Sequence, residues 1–298
     1  MDEVYRLVVD IPGERLDKFV SRKLMQFSRA RLQKLIGEGY VLVNGTAARP
    51  ALKLNAGDKL TVTIPPPPPS SLSPEDIPLK IIYEDDDLLA IDKPAGLTVH
   101  PAPGHPSHTL VNAILSHFPH LADMGDSLRP GIVHRLDKDT SGVMLVAKNA
   151  TAQAKLQEQF KSRAVEKTYL ALVKGHLAPE RGMIEAPIGR HPSNRKKMAV
   201  VSRGREARTM YQVVRYIGNY TLLEVKPETG RTHQIRVHLA AIGYPVMGDA
   251  LYGVKSPLLS RQFLHAHRLK IKLPSSGEFK EFMSPLAEDL ERVLGEMG

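Results

Sequence analysis

The apolar positions along the chain change period several times, and each change marks a different kind of element. Near the N-terminus Leu16, Phe19, Val20 and Leu24 recur at helical spacing. Leu32, Leu35 and Ile36 repeat the pattern in a second amphipathic helix, with Ser28 as its expected N-cap and Gly39 as its stop. A short apolar run at 41–43 enters the Asn44-Gly45 pair, the composition of a tight hairpin turn, and Gly57-Asp58 leads into an alternating strand at 59–64. All periodicity then stops in a proline run at 65–69 followed by Ser70, Ser71, Leu72, Ser73 and Pro74. Consecutive prolines remove backbone donors and favour an extended chain, so 65–78 is expected to be a semi-rigid spacer reaching roughly 40 Å.

Beyond the spacer, apolar runs predict strands at 79–83, 88–92, 143–147, 168–173, 209–216, 221–225 and 263–271. Helical periodicity predicts helices at 109–117, 151–160, 232–242 and 285–295, with Ile235, Leu239 and Ile242 as one core face. Strands and helices do not alternate regularly, which favours an α+β class over a doubly wound sheet. The expected organisation is a small domain at 1–64, the spacer at 65–78 and a larger domain at 79–298.

A length of 298 residues and a hydrophobic content of 42% suit about two globular domains. No apolar run approaches the roughly 18 residues of a membrane span, and Met1 to Arg6 has neither the basic start nor the apolar stretch of a secretory leader. With no cysteine, disulfides, thiol nucleophiles and cysteine-ligated zinc are excluded. The expectation is a cytoplasmic protein, without membrane association and monomeric.

Charge directs the reading further. A net charge of +9 and a pI near 9.6 raise the local concentration of polyanions, which fits RNA better than a small neutral substrate. Between Gly189 and Arg208 the basic side chains are Arg190, Arg195, Lys196, Lys197, Arg203, Arg205 and Arg208, against the single acid Glu206. Interleaved Gly, Pro, Asn and Ser predict an exposed hairpin-like lobe that could follow a phosphate backbone, with Arg195, Lys196 and Lys197 as RNA contacts. The histidines, including His100, His105 and His108 and the pairs His233/His238 and His265/His267, lack HExxH spacing, and neither a Walker nor a dinucleotide glycine motif is present. Neither a metal nor a cofactor is expected.

One segment carries chemistry. Gly131 to Gly142 sets Asp137 two residues after Arg135, on a turn-rich stretch entering the apolar run at 143–147, so Asp137 is expected at a core edge. By composition alone it could be a catalytic carboxylate or a turn cap. Three ordered blocks decide between these: HRLDKDTSG at 134–142, KTYLALVKG at 167–175 and TGRTHQIRVHLAAIGYPVMGDALYG at 229–253. Together with Leu88 to Leu97 and Phe263 to Leu269, they resemble the RluA family of RNA pseudouridine synthases over 79–288. Residues 13–64 likewise resemble an S4 RNA-binding domain, whose second helix carries Arg29, Arg31 and Lys34 away from its apolar stripe.

The resemblance implies a mixed, largely antiparallel sheet with a central cleft. It implies Asp137 as the carboxylate that attacks ribose C1′ or removes the ribose 2′ proton, the two routes staying open. It further implies Tyr169 as the residue packing against the base and taking part in C5 deprotonation, Arg236 as the partner of Asp137, and Arg135 as a wedge or clamp for the flipped nucleotide. The S4 and RluA-type combination is similar to bacterial large-subunit (23S) ribosomal RNA synthases of the RluD and RluC subgroup; tRNA or multi-site action is the alternative. A non-catalytic ribosome-assembly factor and a base-removing N-glycosidase are the rivals from other classes. Asp137, Tyr169 and Arg236 are all present, which speaks against the first, while product mass would separate the second.

Overall fold

The computed structural model describes residues 3–298 apart from 26, 28, 66–71, 103–104, 124–128, 195–196 and 254. The expected cap Ser28, the RNA contacts Arg195 and Lys196 and most of the proline run lie outside the described residues. The chain divides into two compact units, Met1–Pro69 and Ser70–Gly298.

In the first unit, strand β1 (Glu3–Val8) is followed by helices α1 (Leu16–Lys23) and α2 (Arg29–Gly37) and by strands β2 (Val41–Val43), β3 (Thr46–Ala47) and β4 (Lys59–Ile64). The sheet order is β1-β4-β2-β3, and every pair is antiparallel. Leu16, Phe19, Val20, Leu32, Leu35 and Ile36 turn inward onto Val41, Leu60 and Val62, as their spacing predicts. Beneath them Asp17 is fully buried and accepts hydrogen bonds from Arg15, Arg29 and Gln33. Burial opposes its charge, yet the arginines outweigh burial and hold the carboxyl well below the usual carboxylate range.

The second unit contains β5 (Lys80–Glu84), β6 (Leu88–Lys93), α3 (Leu110–His117), β7 (Ser141–Ala147), α4 (Ala150–Lys161), β8 (Glu166–Lys174), β9 (Arg181–Glu185), β10 (Ile188–Arg190) and β11 (Met198–Val200). It continues with β12 (Arg208–Ile217), β13 (Tyr220–Pro227), α5 (Gln234–Ala241), β14 (Leu264–Lys272), β15 (Phe279–Met283) and α6 (Glu288–Met297). Among the described residues nine strands form one sheet in the order β5-β6-β7-β14-β8-β13-β12-β9, with β15 on β14. Among the described strands of this sheet only the β7/β14 pairing is parallel, so the sheet is mixed and largely antiparallel and the class is α+β. Gly142 is required where those parallel strands meet: its φ is 117°, and a Cβ would overlap the Ala266 backbone. Two apolar cores flank the sheet centre, and Tyr169 on β8 packs against both.

The spacer expectation fails past residue 71. Leu72 is buried in the core beside β6 and α3, Ser73 carbonyl accepts from Asn112 Nδ2 at 2.8 Å, and Glu75 N–H donates to Asn112 carbonyl at 3.0 Å. The Glu75 carboxylate in turn accepts from the His108 backbone at 2.8 Å. Apolar Leu72, Ile77 and Leu79 supply the burial that turns this stretch into a strap on the second unit. Ile242 is also corrected: it lies beyond the end of α5 and is exposed, whereas Ile235 and Leu239 are buried.

Candidate active site

Three elements meet at one cleft of about 500 Å³: the loop before β7, strand β8 and the N-terminal half of α5. The loop is braced residue by residue. Lys93 Nζ donates to Lys138 carbonyl at 3.0 Å, Arg261 Nη1 to Asp139 carbonyl at 3.1 Å, and Gln262 Nε2 to Thr140 Oγ1 at 3.2 Å. Ser141 Oγ meets the His265 ring at 3.0 Å. With its neighbours thus held, Asp137 can keep one orientation, and its carboxylate remains 18% exposed toward the cleft.

Arg236, on α5, meets that carboxylate through Nη1 at 3.1 Å. Its Nε and Nη2 are occupied by a bidentate pair with the fully buried Asp249, at 2.6 and 2.9 Å. Asp249 also accepts from the Leu251 and Tyr252 backbone, and the Tyr252 ring lies 5.1 Å beneath the guanidinium. Burial would neutralise both partners; the pairing wins, raising Arg236 above its ordinary range and lowering Asp249 below its own. A permanent cation is therefore fixed beside Asp137.

His233 precedes α5 in the left-handed region, with φ of 56°. Its Nδ1 lies 2.8 Å from the Tyr252 hydroxyl, which already accepts the Met198 N–H at 2.7 Å. On the other side of the ring, Nε2 lies 4.0 Å from Asp137 Oδ2. Burial lowers the His233 pKa although Asp137 opposes it, so the ring favours its neutral form.

Tyr169 lines the cleft from β8. Burial, with the Asp137 charge added, raises its phenol well above the ordinary range and keeps it protonated at neutral pH. His134 also lines the cleft, where it stacks on Phe160 at 4.4 Å and accepts the Leu145 N–H at 2.9 Å.

The structure thus brings together Asp137, Tyr169, Arg236 and Arg135; the last is exposed on the cleft wall and makes no ion pair among the described residues. Lys197 lies 5.9 Å over the Tyr252 ring, on the hairpin formed by β10 and β11. The remaining described candidates belong to the first unit. Arg29 is engaged with Asp17, Arg31 donates to Pro65 carbonyl and stacks over Phe27, and Lys34 is exposed beside Glu38. Sequence reasoning assigned no role to His233, Asp249 or Tyr252, although all three fall inside the 229–253 block. The His233/His238 pair separates, since His238 bonds Thr209 and the Ala186 carbonyl.

A family model described as RNA pseudouridylate synthase matches residues 87–241, and an S4 domain model matches 14–60. An RNA pseudouridine synthase of Chloroflexus aurantiacus is 50% identical over 297 residues, covering 98% of this chain and 93% of its own. The ribosomal large subunit pseudouridine synthase D of Xanthomonas campestris is 45% identical, covering 95% of this chain and 88% of its own. The solved structure of human RNA pseudouridylate synthase domain containing 1 is 29% identical with a TM-score of 0.57, covering 74% of this chain and 95% of that one. With a carboxylate, its cation and a half-buried tyrosine meeting in the matched region, the chain belongs to the RNA pseudouridine synthases, isomerases that convert uridine to pseudouridine in RNA.

Proposed function

We propose that the substrate is large-subunit 23S ribosomal RNA and that Asp137 performs the chemistry, with the first unit as a separate RNA anchor. The observation that carries the chemical part is the fixed Arg236 beside Asp137, because an ionised, partly desolvated carboxylate is what either route needs. The similarity to the ribosomal large subunit pseudouridine synthase D of Xanthomonas campestris, and to that of Nitrosomonas europaea at 46% identity over 96% of this chain, supports the choice of RNA.

The reaction breaks the bond from ribose C1′ to uracil N1, turns the base and joins C1′ to C5; C5 then loses its proton and N1 gains one. No electrons are exchanged, so no redox cofactor is called for. Asp137 attacks C1′, and the resulting ester bond breaks as C1′ joins C5; or it takes the 2′ proton as the N1 bond breaks and returns that proton to C2′ as C1′ joins C5, and in both routes its carboxylate is regenerated. Tyr169 packs against the base. Its phenol is held protonated, so it orients the C5 step while the regenerated carboxylate or a water accepts the proton. Arg135 fills the stack vacated by the flipped nucleotide. The cleft is assembled from one chain, which suits a monomer acting in the cytoplasm, where ribosomal RNA is made.

Incubation with 23S rRNA transcript, followed by nucleoside mass analysis, tests this reading. Pseudouridine at unchanged RNA mass is the expected product. Abasic sites would mean base removal instead, and modification of tRNA transcripts alone would move the substrate to tRNA.

A further inference from the structure

Arg163 occupies a backbone position that its own side chain makes costly. It follows the last turn of α4 with φ of 62°, in a turn closed by Ala164 N–H on the Gln159 carbonyl at 2.9 Å. Glycine is the favoured residue in this left-handed position, because a Cβ crowds the backbone there. A long charged residue held in that conformation points to a use for its guanidinium.

The guanidinium stands on the cleft wall. Arg163 Nη1 donates to Glu206 Oε1 at 3.3 Å, Arg231 Nε donates to the Glu206 carbonyl at 3.0 Å, and Arg208 lies 3.5 Å from the same carboxylate. Glu206, the lone acid of the basic run, thus gathers arginines from three segments: the turn after α4, the start of β12 and the loop before α5. Arg208 is further paired with Glu185 at 3.0 Å. Arg163 and Arg231 together carry more positive charge than Glu206 offsets. Glu206 stays ionised, since the Arg163 hydrogen bond holds its carboxyl below the ordinary range.

Deeper on the same wall is Lys167, two residues before Tyr169 and therefore on the same face of β8. It is half-buried and makes no ion pair among the described residues. Burial and the nearby Arg163 lower its ammonium to about 8, with Glu228 opposing. A half-buried cation facing further cations is stabilised by an anion placed among them. Two residues of strand span roughly 7 Å, comparable to the reach from a base on Tyr169 to a backbone phosphate of the same nucleotide.

We propose that Lys167, Arg163 and Arg231 form a phosphate site that holds the RNA backbone beside the target uridine. The proposal rests on the reading of this cleft as the site of isomerisation. Glu206 keeps the two arginines ordered before RNA arrives, and the strain at Arg163 is retained because the site needs its charge.

The substitution Arg163→Gly separates this role from a structural one, because it removes the charge while relieving the backbone. The assay uses whichever of 23S or tRNA transcripts the wild-type protein isomerises. Thermal stability should hold or rise; KM for RNA should rise about tenfold, and the slope of log KM against log salt should fall by about one, the signature of one lost phosphate contact. The single-turnover rate at saturating RNA should stay within about threefold of wild type, since the group does no chemistry. Arg231→Gln, made separately, should lose the same slope, and Arg163→Lys should recover most of it. Unchanged KM and salt slope in folded Arg163→Gly and Arg231→Gln proteins, with isomerisation intact, would overturn the phosphate site alone. A wild-type protein that isomerised no RNA would instead bring down the reading of the cleft, and this proposal with it.

Discussion

Asp249 holds Arg236 by two hydrogen bonds of 2.6 and 2.9 Å and so leaves only one edge of the guanidinium, Nη1, to face Asp137. A fully buried carboxylate thereby orients a cation toward a partly exposed one. The arrangement separates the residue that positions the charge from the residue that meets the substrate.

Arg236→Met keeps much of the arginine stem while deleting the cation. Loss of the charge 3.1 Å from Asp137 should lower the single-turnover rate by about tenfold or more, and Arg236→Lys, which keeps a cation, should retain more of it. A rate within about twofold of wild type for Arg236→Met, in folded and RNA-saturated protein, would leave Arg236 with no electrostatic role.

Acid should weaken the second unit through two histidines. Burial lowers His134 to about 3, helped by the Lys167 charge, and lowers His265 to about 4. The unfolded chain binds protons at these rings near pH 6.5, whereas the folded chain does not. Stability is thus complete above about pH 6.5 and declines as pH falls toward the folded values, at up to about 1.4 kcal/mol per unit for each histidine. Urea unfolding between pH 7 and pH 4.5 should show this slope while most carboxylates remain ionised. His134→Gln should reduce it by about half; an unaltered slope would show that His134 does not contribute.

The strap at 72–79 sets where the second unit can be cut. A fragment starting at Ser70 should fold and keep the cleft, whereas one starting at Ile77 loses the buried Leu72 and the bonds from Ser73 and Glu75 to Asn112. The shorter fragment should be less stable by about 2 kcal/mol or more, mostly from the lost leucine. Equal urea midpoints for the two fragments would show that the strap adds nothing.

Much of this fold is written in its apolar periods. The strand at 143–147 and the helix at 151–160 lie within two residues of their observed bounds, because each buries a face wide enough to leave a pattern. β1, β9 and β15 leave almost none: β1 has only exposed and half-buried side chains, β9 and β15 bury one each, Ile184 and Phe282, and backbone pairing to β4, β12 and β14 holds them in place. The strap leaves no period at all, since it places one leucine, Leu72, among prolines and serines. Asp137, Tyr169 and Arg236 stand out through their motifs. The contribution of Asp249, Tyr252 and Glu206 could not be read in advance, because it consists of whom they touch across 13 to 43 residues of chain.

The central claim is that Asp137 performs the isomerisation, and Asp137→Asn tests it most directly. Asparagine keeps the volume and removes both the charge and the nucleophilic or basic capacity, so RNA binding should survive while pseudouridine formation in a single turnover falls by at least about a thousandfold. Near-normal pseudouridine yield from this variant, with deamidation back to aspartate ruled out by mass, would contradict the account.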